Sequence, residues 1–435
     1  MRVPPRIKAL LRQDGFARGA MTLMTGTAIA QAIPIAISPI LTRLFTPTDY
    51  GVFALYAALV AFLAAAATGR YELAVMLPEG EEDADALVVL SAIIALGFGA
   101  LLLVVALVAR GPIASMLGHP EIAPWLLLLP VSVAAMGCYN ALNYWLNRHR
   151  RYGRMSRNRM LQSGMGSGLQ LSMGAAAMGA VGLIVGQFIG VIVTTAQIAV
   201  SFGRDFRRDG PRNIVPQMKR LARRYSNHPK HVLPAHWIGS AALQLPILGI
   251  SGLYGASTAG LYALAYRLMT LPTTLVANAI GDVYRQRAAV AYREQGDFRQ
   301  LFLQTLGISA ALAIMPVAVI FAVAPDLFSF VFGENWRSAG DYARILSIAA
   351  FFQFAFTPID KGALIVGATR YIVVWNVIRL VSFCGALGAG WAFRLTIEQT
   401  LTLFVAANIS VYLLDGVVGY ALARSRRNNS SLQNS

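Results

Sequence analysis

The sequence has 435 residues, is 56% hydrophobic and 13% charged, and carries a formal net charge of +17. Soluble domains average about 25% charged residues, so this composition, with a mean hydropathy of +0.57, excludes an ordinary soluble protein. The apolar runs are continuous and not alternating, which excludes a transmembrane β-barrel. They recur at the roughly 20-residue length of a bilayer-spanning helix. The expectation is an all-α membrane protein of about twelve transmembrane helices.

A basic lead-in, residues 1–20, comes first. No small-residue cleavage site follows a short apolar core, so it reads as a cytoplasmic or interfacial segment and not as a cleaved signal. The spans are placed at 21–44, 49–68, 84–109, 122–146, 155–178 and 181–202, then at 232–252, 258–280, 298–323, 342–365, 371–393 and 400–421. Between the two sets lies a basic linker, 203–231, with an amphipathic helix expected near 215–225. The chain thus divides into an N-terminal lobe of six helices (21–202), the linker, a C-terminal lobe of six helices (232–422) and a short tail (423–435). Two such lobes related as parallel repeats would enclose a central cavity.

Lys and Arg cluster on one side of these spans. Arg148, Arg150, Arg151, Arg154, Arg157 and Arg159 follow the fourth span, and Arg204, Arg207, Arg208, Lys219, Arg220, Arg223 and Arg224 follow the sixth. Arg285, Arg287 and Arg293 follow the eighth. The opposite side holds Arg43, Arg110, Arg337, Arg344 and Arg394. By the positive-inside rule both termini are cytoplasmic. The positive charge is therefore read as a topology signal, and nucleic acid is not expected as a partner.

Charges inside the spans are the candidates for function. An arginine at the bilayer centre costs about 2.5–3.5 kcal/mol on insertion scales and is retained where it faces a cavity or a partner. Arg267, within Gly260 to Pro272 (GLYALAYRLMTLP), and Arg379, within YIVVWNVIRLVSF, lie near mid-span. Arg70 and Glu72 end the second span; at a spacing of two they would not share a face of a regular helix. Asn140, Asn143 and Asn147 line one face of the fourth span and could bind sugar hydroxyls; Tyr144, Tyr262, Tyr266 and Trp375 could stack on sugar rings. Asp360 is the acid best placed for a proton or cation. His236 reads as a packing residue, and the acidic run Glu79, Glu81, Glu82, Asp83, Asp85 as a solvated face. Pro34, Pro39, Pro246, Pro272 and Pro316 mark expected kinks. The sequence has no phosphate-binding Gly-x-x-x-x-Gly-Lys-Ser/Thr loop and no His/Cys cluster at metal spacing. Cys138 and Cys384 both fall in apolar segments and read as packing residues.

Several stretches resemble the lipopolysaccharide and polysaccharide biosynthesis flippases of the multidrug, oligosaccharidyl-lipid and polysaccharide exporter superfamily. They are Ser38 to Tyr50 (SPILTRLFTPTDY), Thr68 to Pro78 (TGRYELAVMLP), Gly260 to Pro272, Tyr284 to Tyr292 (YRQRAAVAY) and Phe332 to Leu346 (FGENWRSAGDYARIL). The resemblance implies twelve helices in two lobes around a central cavity. It implies movement of a polyprenyl-pyrophosphate-linked oligosaccharide from the cytoplasmic to the periplasmic leaflet of the bacterial inner membrane, by alternating access, for surface polysaccharide or O-antigen assembly. Such a protein is a transporter and not an enzyme. It needs no cofactor or metal, and a proton or cation gradient could drive it. Its partners are the lipid-linked oligosaccharide, the bilayer, and the polysaccharide polymerase with its chain-length machinery. Substrate-binding roles would fall to Arg267, Arg379, Arg70, Glu72, Asn140, Asn143 and Tyr266, with ion coupling at Asp360. No acid lies near Arg267 in sequence, so the cargo's pyrophosphate is its expected partner. The alternatives are a drug or metabolite cation antiporter of the same superfamily and a membrane-embedded glycan polymerase or ligase. The first would favour cavity acids over arginines, and the second would carry a large periplasmic loop.

Overall fold

The computed structural model describes residues 5–116, 118, 120–209, 213–360, 362–366 and 369–424. The helices of the first half are α1 (Pro5–Ala36), α2 (Ser38–Leu44), α3 (Pro47–Ala64), α4 (Tyr71–Ala74), α5 (Glu81–Met116), α6 (Leu129–Arg148), α7 (Tyr152–Ala175), α8 (Ala180–Asp209) and α9 (Ile214–Arg224). Then come α10 (Leu233–Tyr254), α11 (Ala256–Pro272), α12 (Asn278–Gln295), α13 (Arg299–Phe332), α14 (Arg337–Phe356), α15 (Gly362–Ile365), α16 (Thr369–Ala392) and α17 (Ile397–Leu422). They join into the twelve expected rods, because α1 runs on into α2 and α11 into α12. Nine of the rods, among the described residues, are long and apolar enough to cross a membrane. The other three, built on α7, α11 and α14, carry Arg154, Arg157 and Arg159, Arg267, and Arg337, Asp341 and Arg344 respectively. Lys361, the basic neighbour of Asp360, lies outside the described residues, as do Arg426 and Arg427.

The chain forms two compact units, Met1–Ser240 and Ala241–Ser435. The division falls inside α10. The reason is local: the Trp237 ring stacks on Phe62 at 5.1 Å and its indole N–H donates to the Phe62 carbonyl at 3.1 Å. That carbonyl belongs to the last turn of α3, where helix geometry leaves acceptors unfilled. The first turns of α10 are thereby tied to the first unit.

Two of the family-like stretches have structural explanations. In TPTDY, Thr46 caps α3, Pro47 takes the first helical position, and Asp49 closes a capping box. Asp49 Oδ2 accepts from the Thr46 backbone N–H at 2.9 Å, while its Oδ1 accepts from the Ala180 N–H at 2.8 Å. One carboxylate thus holds the starts of both α3 and α8. In FGENWRSAG, Gly333 turns the chain at φ +102° between α13 and α14, and Trp336 is buried. A Cβ on Gly340 would lie 2.5 Å from the Ala324 carbonyl oxygen and from Pro325 Cα. Backbone cannot yield as a side chain does, so Gly340→Val is expected to cost about 1–3 kcal/mol by overpacking. Thermal unfolding in detergent will show this as a lowered midpoint.

The linker departs from its expected form. Helix α8 runs to Asp209, past the expected start of a loop. The amphipathic helix is present as α9, but its apolar side packs on the first unit. Leu221 is fully buried in one cluster with Tyr71, Val75, Leu87, Trp145 and Ile198. Tyr71 Oη donates to the Ala222 carbonyl at 3.0 Å, and Asp83 accepts from Gln217 and Arg220 at 2.8 and 2.6 Å. Burial pushes the Tyr71 phenol above its ordinary value, which keeps it a donor.

The acidic run is likewise only partly a solvated face. Asp85 is buried and accepts from the Trp145 indole at 3.1 Å. Arg148 binds the Val75, Pro78, Glu79 and Gly80 carbonyls at 3.1, 2.8, 3.3 and 3.4 Å and the Glu81 carboxylate at 2.9 Å. A planar fork serves five acceptors where an ammonium has three donors. Arg148→Ala is expected to lower stability by about 2–3 kcal/mol, on the scale of a hydrogen-bonded charge. Hydrogen exchange should then rise over residues 75–81.

Of the expected kink sites, Pro34, Pro246 and Pro316 lie inside the uninterrupted helices α1, α10 and α13, and Pro272 ends α11. Pro272 removes a donor, and the chain answers with a π-helical stretch, Thr273–Ala277, before α12. Pro229 lies in a similar π stretch, His228–Val232, before α10.

Candidate functional site

Each unit holds a cluster of charged and aromatic side chains within its helices. The first forms where the second rod breaks. Helix α3 ends at Ala64, not at the expected residue 68, and six residues of turn follow. Gly69 and Arg70 both adopt left-handed backbone, at φ +60° and +63°. Glycine takes this conformation freely, whereas arginine does so at a cost. The result is a contact that a regular helix forbids. Arg70 Nη1 lies 3.1 Å from Glu72 Oε1, despite the spacing of two. Glu72 is buried, 2% exposed, and also accepts from the Thr68 hydroxyl. Arg70 Nε is buried and has no hydrogen-bond acceptor. Tyr144 of α6 is within electrostatic reach of both members of the pair, and His236 of α10 is within reach of Arg70.

His236, read from sequence as packing, is thus beside a charge. On α6, Asn143 donates to the Tyr139 carbonyl at 3.0 Å, while its own Oδ1 is buried without a partner. Asn140 is half-buried on the same helix.

The second cluster joins α11, α16 and α17. The Arg379 guanidinium sits over the Tyr412 ring at 5.5 Å, within the range of cation–π attraction. Its Nε is buried without an acceptor. Tyr266, Tyr371 and Asp415 are within its electrostatic reach. Tyr266 stacks on Tyr262 at 5.6 Å, and Tyr371 on Trp375 at 5.6 Å. The Tyr371 hydroxyl donates to buried Asp415.

Asp360 faces Asp415 within hydrogen-bonding reach, and the two line a cavity of about 10 Å³ with Phe302, Phe356, Tyr371 and Gly416. That is room for roughly one water-sized particle. Asp360 is exposed and Asp415 is 5% exposed, so one carboxylate is open to solvent and the other enclosed. Arg267, next to Tyr266 on α11, is exposed. The protein already supplies it an interaction partner, so cargo is not its sole possible counterpart.

The structure therefore brings Arg70 together with Glu72, and Arg379 together with Tyr266. It adds Thr68, Tyr144 and His236 to the first cluster, and Tyr371, Tyr412 and Asp415 to the second. No spacing rule could pair Asp360 with Asp415, since the turn after α14 carries one and α17 the other. Groups of three or more metal-ligating side chains are absent among the described residues.

A family model described as "Polysaccharide biosynthesis protein" matches residues 40–341, more than half of the sequence. The chain belongs to the polysaccharide biosynthesis protein family. A relative of this polysaccharide biosynthesis protein is the succinoglycan biosynthesis transport protein ExoT of Rhizobium meliloti (strain 1021). The two are 24% identical over 393 residues, covering 88% of this chain and 74% of the relative. The teichuronic acid biosynthesis protein TuaB of Bacillus subtilis (strain 168) is 22% identical over 192 residues, covering 44% of this chain and 38% of TuaB. Among solved structures, an inward-facing multidrug resistance MATE family transporter of the MOP superfamily superposes with a TM-score of 0.59 at 18% identity, over 95% of this chain and 96% of that one. An outward-facing transporter of the same description gives 0.56 at 17%, over 97% and 96%. The polysaccharide biosynthesis protein thus has the fold of these transporters and is a multi-pass membrane protein.

Proposed function

We propose that the protein moves a polyprenyl-diphosphate-linked oligosaccharide from the cytoplasmic to the periplasmic leaflet of the inner membrane by alternating access. The observation that carries this reading is a pair of arginines, Arg70 in the break after α3 and Arg379 within α16, each with a buried Nε that no protein group fills. A guanidinium stays charged and fits phosphate oxygens in a fork. A diphosphate crossing a region of low dielectric needs such donors in place of its lost water. Tyr266, Tyr144 and the amides of Asn140 and Asn143 supply stacking faces and donors for a sugar chain. The family and the transport relative of succinoglycan biosynthesis support a saccharide cargo. Pro272 with its π stretch supports helix bending between two states. On this reading no covalent bond changes, and the polymerase and chain-length machinery act on the product.

The Asp360–Asp415 pair fits a proton or a small cation, because one carboxylate is exposed and its neighbour enclosed. Coupling there would draw on a gradient and not on a cofactor. Asp415→Asn is expected to leave downhill movement of cargo intact and to remove its acceleration by an imposed gradient in proteoliposomes.

The central test is genetic. Deleting the gene should remove a surface polysaccharide, and wild-type protein should restore it. Arg267→Ala, present in the membrane at normal level, should not. Full restoration by that variant would exclude Arg267 from the path, and an unchanged surface on deletion would exclude the reading itself.

A further inference from the structure

The Arg70–Glu72 pair has two properties that an ordinary structural salt bridge lacks. It is asymmetric: Glu72 is enclosed at 2% exposure, whereas the Arg70 side chain keeps 18% of its surface open. It is also incomplete, since Arg70 Nε has no acceptor. Strained left-handed backbone at Arg70 fixes this geometry. The exposed member is the cation, so an incoming anion meets the guanidinium first.

We infer that Glu72 is the exchangeable counter-ion of Arg70: a diphosphate takes the guanidinium over, and Glu72 binds a proton in exchange. The inference rests on the reading of the cargo as a diphosphate-linked lipid. An enclosed carboxylate that loses its cation is strongly destabilised. Protonation from the aqueous side removes the charge. The carboxylic acid then keeps the Thr68 hydroxyl as its partner, because that hydroxyl both donates and accepts. No bond other than O–H is made, and the proton returns to water when cargo leaves and Arg70 swings back.

The other titratable groups around Glu72 are committed or distant. Tyr144 of α6 and His236 of α10 face the pair. On the elements packed against α4, Asp83 and Asp85 of α5 are held by Arg220 and Trp145, Glu81 is held by Arg148, and His228 of the π stretch contacts the Tyr225 carbonyl. Lys230 and His231 lie on that same stretch. His236 is therefore the competing proton acceptor.

The experiment uses the full-length protein in lipid nanodiscs and a short-chain prenyl diphospho-N-acetylglucosamine, whose diphosphate diester binds no proton near neutral pH. Calorimetry in buffers of different ionisation enthalpy counts protons taken up on binding. Wild type should take up one proton, and its affinity should rise about tenfold for each unit of falling pH. Glu72→Gln should bind with no uptake and a flat pH profile, while His236→Gln should still take up one proton, whatever its affinity. Uptake that survives in Glu72→Gln, or that vanishes in His236→Gln, overturns the inference and leaves the transport reading standing. So does tight binding by wild type with no uptake and no pH dependence, a result that needs no variant to fold. Failure of wild type to prefer the diphosphate over the same lipid lacking phosphate removes both.

Discussion

Replacing Leu221 by aspartate is expected to detach α9 from the first unit. Leu221 has no exposed surface, and its neighbours Tyr71, Val75, Leu87, Trp145 and Ile198 offer no counter-charge. Loss of the leucine side chain alone costs about 2–5 kcal/mol at a well-packed site, and an enclosed carboxylate adds to that. The remaining ties, the hydrogen bonds of Tyr71 to Ala222 and of Asp83 to Gln217 and Arg220 with the partly buried Ile214, Met218 and Ala222, do not offset an enclosed charge on an 11-residue helix. Trypsin reads the outcome directly, because Lys219, Arg220, Arg223 and Arg224 become cleavable once the helix frays. Cleavage should accelerate at least tenfold, as expected for a loss of about 1.4 kcal/mol or more in the docking equilibrium. Val215→Asp is the control: Val215 is exposed, and that variant should be cleaved at the wild-type rate.

The second large effect concerns Arg379. Arg379→Leu is expected to slow leaflet-to-leaflet movement of a diphosphate-linked glycolipid by about 10- to 100-fold, the loss of one or two charge-assisted hydrogen bonds at about 1.5–3 kcal/mol each. Arg379→Lys should recover only part, because an ammonium keeps the charge but loses the fork and the stack over Tyr412. Tyr412→Phe should change little, since the aromatic face remains. A fluorescent glycolipid in proteoliposomes, quenched from outside, gives the rate. Equal rates for wild type and Arg379→Leu would remove Arg379 from the transport path.

These two residues also show where sequence reasoning reaches and where it stops. Continuous apolar runs located the rods because spanning length is a property of one segment. The amphipathic pattern of α9 was likewise local. Arg379 stood out because a charge inside an apolar run is conspicuous. The surface on which α9 docks was not legible, since a helix with one apolar face packs equally well on lipid or on protein. The Arg70–Glu72 contact depends on two consecutive left-handed residues, and only Gly69 hints at them. Before them, Ala65 to Ala67 read as ordinary helix. Asp360 and Asp415 meet through the packing of separate rods, and Asp85 is buried by Trp145, 60 positions away. Four of the five family-like stretches divide by role. Ser38 to Tyr50 and Phe332 to Leu346 build turns and close helix contacts, whereas Thr68 to Pro78 and Gly260 to Pro272 carry the charges.

From Ala256 through the π stretch to Gln295 the backbone never leaves helical conformation. About 40 residues at 1.5 Å each make a rod of roughly 60 Å, twice the thickness of a bilayer's hydrocarbon layer, about 30 Å. The half beyond Pro272, with Arg285, Arg287 and Arg293, is too polar to be the half left in lipid. It is a stiff arm hinged where one helical hydrogen bond is already missing. A tilt of about ten degrees at that hinge would carry Gln295 some 5 Å sideways, given an arm of roughly 30 Å. A rearrangement too small to reorder any side chain around Arg267 would thus be legible, magnified, at the basic surface.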